Sequence, residues 1–402
     1  MKRIEKVVFI LLVIVTSIIL FLIIIKEDEK LMIDLSDLTV DEIKNYAIDN
    51  KLELTIEEEY NEIDKDKVIS QSINIGNEIK ENDKLIVKIS LGLDYETLKV
   101  NELGNVPIMM YHGIHDVTDN KYTGGNVDKD GYQRTKEAFI NDLEFYYQNG
   151  YRMIRLNDYV NGIINVEAGL SPIIITFDDG LANNIKVTGL DENGDIIIDP
   201  NCAVGILEEF KKKYKDFNVT ATFFVNGGLF NQSKYNEKIL NWLVENGYDI
   251  GNHTYSHVDF TTVDKEKTVK EVGLLYNLLD KYIPNKYVNI IALPFGSPYD
   301  KYHENFSSIM KGIYNDKQYE NIAALRVGWE AEYSPFNKSF DKTFLKRIRA
   351  YDNNGEEFDI EMNFKILKNN RYISDGDKDK ITIPKDKENS INNIYNLEIN
   401  TY

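Results

Sequence analysis

The sequence predicts an α/β protein built on a parallel sheet or barrel, and three observations carry that reading. Apolar strand-like runs alternate with helical patterns from about residue 106 onwards, as parallel sheets require. Several runs end in polar or glycine-containing stretches, among them Tyr111-His112-Gly113, Asp178-Asp179-Gly180, Asn252-His253 and Pro294-Phe295-Gly296. Parallel barrels gather their chemistry at the carboxyl ends of their strands, so such shared endings argue for one functional face. The 402 residues leave room for two or three domains, and 43% apolar content with 26 Tyr and 18 Phe suffices for a core.

The amino-terminal stretch Val7 to Ile25 is uncharged and almost wholly aliphatic, broken only by Thr16 and Ser17. At about 1.5 Å per residue it would reach roughly 28 Å, against about 30 Å of bilayer hydrocarbon. Lys2, Arg3 and Lys6 precede it, and Glu27, Asp28 and Glu29 follow. The positive-inside preference then makes 1–6 cytoplasmic, 7–25 a membrane anchor and the remainder extracellular. A cleaved signal peptide is the competing reading. The apolar run is longer than a typical signal core and no Ala-x-Ala-like site follows it, which favours a retained anchor.

Residues 32–92 read as a compact α+β module. Thr39-Val40-Asp41-Glu42 has the form of a capping box, Ile43, Tyr46 and Ala47 recur at helical spacing, and Asn50 closes the helix. Strands are expected over Leu52–Ile56, Lys67–Ile73 and Lys84–Ile89, the last with Leu85, Val87 and Ile89 alternating with polar neighbours. This succession, with Val68-Ile69-Ser70-Gln71-Ser72 and Gly76, resembles a single PASTA domain, except that Ile73 stands where that family usually has proline. The resemblance implies an external wall protein and association with peptidoglycan. A passive spacer is the alternative. Asp94 to Asn105 reads as a short polar linker.

In the large domain, strands are expected over Val106–Met110, Pro172–Phe177, Val219–Val225, Tyr248–Ile250, Val288–Ala292 and Ile322–Val327. Thr135 caps a helix carrying Phe139, Leu143 and Tyr146, and further helices cover Val204–Tyr214, Glu237–Glu245 and Lys265–Lys281. Lys186–Asp199 looks like an inserted hairpin turning at Asn193-Gly194. Its Asp191, Asn193 and Asp195 lack the loop glycine and bidentate glutamate of a calcium loop. Residues 351–402 form a polar extension in which Phe358–Leu367 and Ile381–Ile383 read as strands, with a mobile last dozen residues.

A formal charge of -19 argues against a nucleic-acid partner, because phosphate would be repelled. Cys202 is the sole cysteine, which excludes an internal disulfide and any cysteine-based metal cluster. No feature calls for an obligate protein partner.

The chemistry concentrates in two short stretches. Asp178-Asp179 follows the branched run Ile173-Ile174-Ile175, and adjacent carboxylates repel unless a cation or a division of roles intervenes. His253-Thr254-Tyr255-Ser256-His257 spaces two imidazoles four residues apart, which on a helical turn puts both on one face. Two histidines and one carboxylate make the donor set of a catalytic zinc site.

Thr176–Gly180 and His253–His257, in that order on alternating α/β structure, resemble the first two motifs of the carbohydrate esterase family 4 polysaccharide deacetylases. The resemblance spans roughly 104–350 and takes in Pro107-Ile108-Met109-Met110-Tyr111-His112. It implies a distorted (β/α)7 barrel that removes N-acetyl groups from GlcNAc polymers. Asp179, His253 and His257 would hold a divalent metal, most simply Zn2+, and Asp178 would be the general base. Pro294-Phe295-Gly296 matches the third motif, where the backbone N–H of Phe295 would face the oxyanion. Pro294 and Trp329 would line the acetyl pocket.

Two positions depart from the family pattern. Ala292 stands where an arginine normally orients the base, and Phe344-Leu345-Lys346-Arg347-Ile348-Arg349 lacks the usual histidine that protonates the leaving amine. Arg326 or Arg349 is the expected replacement for the arginine, and His303 or His112 for the histidine. The whole reads as a membrane-anchored extracellular deacetylase of cell-wall peptidoglycan. A wall-binding scaffold with a metal-retaining but impaired barrel is the alternative.

Overall fold

The computed structural model describes residues 7–17, 30–116 and 127–402. Residues 7–17 are helical and exposed, while the rest of the expected span, 18–25, lies outside the described residues. Among the described residues no helix is long and apolar enough to cross a membrane. The chain divides into two compact units at Asp94 and Tyr95.

In the smaller unit the capping box forms as expected. The Glu42 N–H donates to Thr39 Oγ1, and the Thr39 N–H donates to Glu42 Oε2 at 2.8 Å, starting the helix Val40–Asp49. That helix buries Ile43 and Ala47 beside Leu85, Val87 and Ile89 of the central strand Lys84–Ser90. Glu53–Glu59 pairs with the central strand in parallel and Val68–Gln71 pairs with it antiparallel.

The larger unit holds a curled parallel sheet. Its strands are β1 (Ile108–Tyr111), β2 (Ser171–Phe177), β3 (Thr222–Val225), β4 (Asp249–Asn252), β5 (Ile290–Ala292), β6 (Ala323–Leu325) and β7 (Ile348–Arg349). The spatial order is β7-β1-β2-β3-β4-β5-β6, and a short strand, Tyr151–Met153, pairs with the start of β2. A parallel bridge between Leu325 and Leu345 ties β6 to the residues leading into β7, so the sheet curls until its edges meet.

Alternation along the strands sorts side chains into two cores. Met109, Ile173, Ile175, Phe223, Ile250 and Ile348 pack with the helices α1 (Lys136–Gln148), α2 (Ala203–Lys213), α3 (Asn236–Glu245) and α4 (Lys265–Tyr282). Ile108, Ile174, Phe224, Ala292, Leu325 and Leu345 form the other core, inside the curl. Residues of the inner parity that lie past the strand ends therefore crowd one mouth. Asp178, two residues beyond Thr176, is one of them.

Three expectations about the surroundings need correction. Residues 95–105 are docked onto the larger unit rather than forming a polar linker: Asn101 bridges to Ile373, and Val100, Leu103 and Glu102 are buried. The stretch expected as a strand from 358 is a helix, α5 (Ile360–Leu367), capped by Asp359 and burying Ile360, Phe364 and Leu367 at helical spacing. The last dozen residues contribute an ordered strand, Glu398–Thr401, parallel to Lys380–Ile383. The inserted hairpin is present as Val187–Leu190 paired with Ile196–Ile198.

Candidate active site

Asp178 sits at the end of β2, where its N–H donates to the Tyr111 carbonyl of β1 at 2.9 Å. Asp179 and Gly180 both take positive φ, 72° and 57°, which turns the chain sharply away from the strand. A Cβ at Gly180 would lie 3.0 Å from Val225 Cγ1, so the turn also needs glycine for its close approach to β3. The result aims the two carboxylates in different directions.

Asp178 is completely buried and forms a two-pronged ion pair with Arg347. Nη1 donates to Oδ1 at 2.8 Å and Nη2 donates to Oδ2 at 2.7 Å. Arg347 is itself fully buried, and its Nη1 also donates to Thr176 Oγ1 and its Nε to the Arg326 carbonyl. Burial opposes a charge on Asp178, but the Arg347 guanidinium and the nearby His253 outweigh it and hold the carboxyl well below the usual range. Among the described residues Arg326 and Arg349, the expected replacements, form no hydrogen bond or ion pair with Asp178; Arg347 does. Arg326 lies over the Phe344 ring on the helix side, and Arg349 lies over Tyr351.

Parity was the signal for Arg347. Leu345 faces the inner core and Ile348 the outer one, so Arg347 has to point inwards towards Thr176 and Asp178.

Asp179 faces the histidines. Its Oδ1 lies 3.4 Å from His253 Nε2 and 3.3 Å from His257 Nε2, and the three donor atoms all fall within 4.8 Å of one another. His253 Nδ1 lies 2.8 Å from the Ala292 carbonyl, an orientation that commits Nδ1–H to the backbone and leaves the Nε2 lone pair facing Asp179. This donor set fits a divalent cation. The Ala292 position thus serves the site through its backbone.

The His253–His257 stretch is not the helical turn its spacing suggested. Thr254 and His257 take positive φ, 61° and 53°, and helix α4 holds the segment from behind. The Tyr255 N–H donates to the Glu271 carbonyl, and the Ser256 N–H donates to Glu271 Oε2 at 2.7 Å. Glu271 is buried and also paired with Lys267. Sequence reasoning missed it, because a carboxylate on an amphipathic helix reads as a solvated face.

Pro294–Gly296 forms a single tight turn after β5, with Phe295 at φ 57° and its exposed ring edge-on to His257 at 4.6 Å between centroids. Asp259 clips this segment to the histidine loop through Ser297 Oγ. His112 is buried past the end of β1, and its Nδ1 has no partner among the described residues. Burial lowers its pKa, with Arg347 and His253 acting in the same direction against Asp178 and Asp179. His303 lies on the 298–305 loop, where its Nδ1 accepts from the Asn305 N–H. Trp329 is half exposed, and its carbonyl accepts from Asn363.

A buried carboxylate held by an arginine thus lies beside an Asp-His-His cluster that could hold a metal ion. Residues 166–311 match the polysaccharide deacetylase family model, and residues 30–91 match the PASTA domain model. The chain carries a polysaccharide deacetylase domain preceded by a PASTA domain. Among solved structures, it is similar to the Streptococcus pyogenes deacetylase PplD in complex with acetate. Identity is 18% and the TM-score 0.45, over 62% of this chain and 94% of that one. A de-N-acetylase from Aggregatibacter actinomycetemcomitans matches at 12% identity and TM-score 0.42, over 65% and 99%. The peptidoglycan deacetylase PdaC from Bacillus subtilis matches at 18% and 0.28, over 50% and 82%.

Proposed function

We propose that this protein is a metal-dependent N-deacetylase of GlcNAc residues in a cell-wall polysaccharide, with peptidoglycan as the substrate. The observation that carries the reading is the buried Asp178–Arg347 pair set beside the Asp179, His253 and His257 cluster. In this reading Asp179, His253 and His257 hold a zinc ion. Such an ion supplies Lewis acidity towards the acetamide carbonyl and acidifies water.

The chain's own residues do the rest. Asp178, kept ionised and fixed in orientation by Arg347, takes the proton of the attacking water. The backbone N–H of Phe295 donates to the oxyanion that replaces the carbonyl. His112, reaching the mouth from β1, delivers a proton to the departing amine. Pro294 and Trp329 border the acetyl group. Arg347 restores the base-orienting role that Ala292 had left open, which weakens the reading of an impaired scaffold.

The PASTA domain would hold the enzyme to the wall, and residues 7–25 would anchor it in the membrane with its amino terminus cytoplasmic. Removing acetyl groups would leave cationic amines on the glycan.

The test is acetate release by the full chain from purified peptidoglycan and GlcNAc oligomers, with and without chelator, and with Asp178→Asn. Release abolished by either change is the expected result. No release from any substrate by the zinc-loaded protein rejects the enzyme. Release that survives both changes rejects the mechanism.

A further inference from the structure

Arg349 is a cation without a carboxylate in a chain with 66 Asp and Glu against 47 Lys and Arg. Arg134, Arg152, Arg155 and Arg347 each pair with an aspartate within 4 Å, and Arg349 has no such partner among the described residues. Its Nε–H is buried and unpartnered. The guanidinium meets the Tyr351 side chain but no carboxylate, and a half-buried cation with an unpartnered N–H is costly on so acidic a protein unless an anion pairs with it.

Its placement says what that is. Arg349 pairs in register with Met110, which pairs with Thr176, so it shares the inward parity of Thr176 and Arg347. Two residues of extended strand advance about 6.6 Å, which puts Arg349 one step nearer the mouth than Arg347, whose own charge is consumed by Asp178. The side chain is also braced. Gly131, at φ 78°, packs directly against it, where even a Cβ would come within 3.0 Å, and the guanidinium lies 5.1 Å from the Tyr351 ring centroid. Among the described residues Arg326 and Arg371 also lack a carboxylate, but Arg326 belongs to the opposite face and lies over Phe344, and Arg371 donates to the Asn149 carbonyl and lies over the Tyr151 ring.

We propose that Arg349 recognises an oxyanion substituent, a carboxylate or phosphate, carried by the glycan beside the acetamido sugar, an assignment that rests on the deacetylase reading. The planar fork matches either group bidentately. Because the protein's overall charge repels anionic polymers, one local cation would select those presenting the anion in the right place. In peptidoglycan that group would be the lactyl carboxylate of muramic acid, and in a phosphate-bearing wall glycan it would be the phosphate.

The test uses the full zinc-loaded chain with three tetrasaccharides: neutral GlcNAc, GlcNAc alternating with N-acetylmuramic acid bearing free carboxylates, and GlcNAc carrying a 6-phosphate. Acetate release gives kcat and KM, and calorimetric binding to the Asp178→Asn protein gives affinity without turnover. We expect one anionic oligomer to be preferred over the neutral one by about tenfold in KM and affinity, fading with salt. Arg349→Gln should bring that ratio near one, and Arg349→Lys should keep part of it. The better anionic oligomer identifies the source. A wild-type ratio at or below one, or a ratio unchanged in correctly folded Arg349→Gln, overturns the proposal. A binding preference that survives while no oligomer releases acetate upholds the anion site and rejects the deacetylase instead.

Discussion

Two buried carboxyl groups in the larger unit, Asp178 and Glu102, meet the same problem with opposite solutions. Asp178 has a guanidinium on both oxygens and stays charged. Glu102 accepts from the Tyr372 hydroxyl at 2.8 Å and the Thr382 N–H at 2.7 Å, and among the described residues it has no ion-pair partner. Burial and the neighbouring Asp375 charge push its pKa up to about 8, against those hydrogen bonds. Burial by itself therefore makes a neutral structural group, here one that joins residues 99–105 to the carboxyl-terminal strands. A carboxylate that stays charged at the mouth of the sheet, as Asp178 does, has a cation supplied from another strand.

Removing that cation should have the largest effect. Arg347→Met leaves the Asp178 charge buried and unpaired, which should cost about 3–5 kcal/mol in denaturant unfolding and abolish acetate release. The double variant Asp178→Asn with Arg347→Met should regain much of the stability and none of the activity. If Arg347→Met alone kept acetate release within tenfold of the parent, Arg347 would have no part in holding the base.

The next effects concern groups that reach the mouth without carrying its charge. His112→Gln should lower kcat by about a hundredfold, the usual worth of a positioned acid, while His303→Gln should leave it unchanged. Equal losses in the two would remove His112 from its assigned role. Glu271→Ala leaves the Ser256 N–H without its acceptor and should weaken zinc binding about tenfold in a chelator competition. Glu271→Gln, which can still accept that bond, should bind zinc nearly as well as the parent. Equal losses in those two variants would point to Lys267 pairing instead.

How much of this was legible follows from which interactions are local. The Asp178-Asp179 turn, the His253 and His257 pair and the Pro294–Gly296 turn are contiguous, so their residue types and spacing announce them. The alternating strands and the capping box at Thr39 were legible for the same reason. Arg347 and Glu271 act across 169 and 15 residues of chain, through a strand and a helix whose facing only the fold decides. Phe358–Leu367 misled because six of its ten residues are hydrophobic or aromatic, which suits either strand or helix. Asp359 at the cap and burial every three to four residues made it helical. The docking of residues 95–105 depends on Glu102 meeting Tyr372 and Thr382, contacts more than 250 residues away in sequence.

The smallest effect on catalysis belongs to Glu102, and it tests the comparison from its other side. With a folded-state pKa of about 8, Glu102 keeps its proton between about 4.5 and 8 while the unfolded chain has lost it. The folded state then binds more protons than the unfolded one. This contribution to stability is full below about 4.5 and is lost as pH rises through 8. Glu102→Gln removes the titrating group and keeps one accepting oxygen, at the cost of turning its NH2 towards the N–H of Asp375 or Thr382. The variant should therefore be less stable than the parent near pH 5, and the difference should move in its favour between pH 5 and 8 by an amount on the order of a few kcal/mol. Urea midpoints for both proteins at pH 5, 6.5 and 8 give the slopes directly. A difference between them that does not move with pH would mean that Glu102 is charged in the fold. Its environment would then have to supply a cation as effectively as Arg347 supplies one to Asp178.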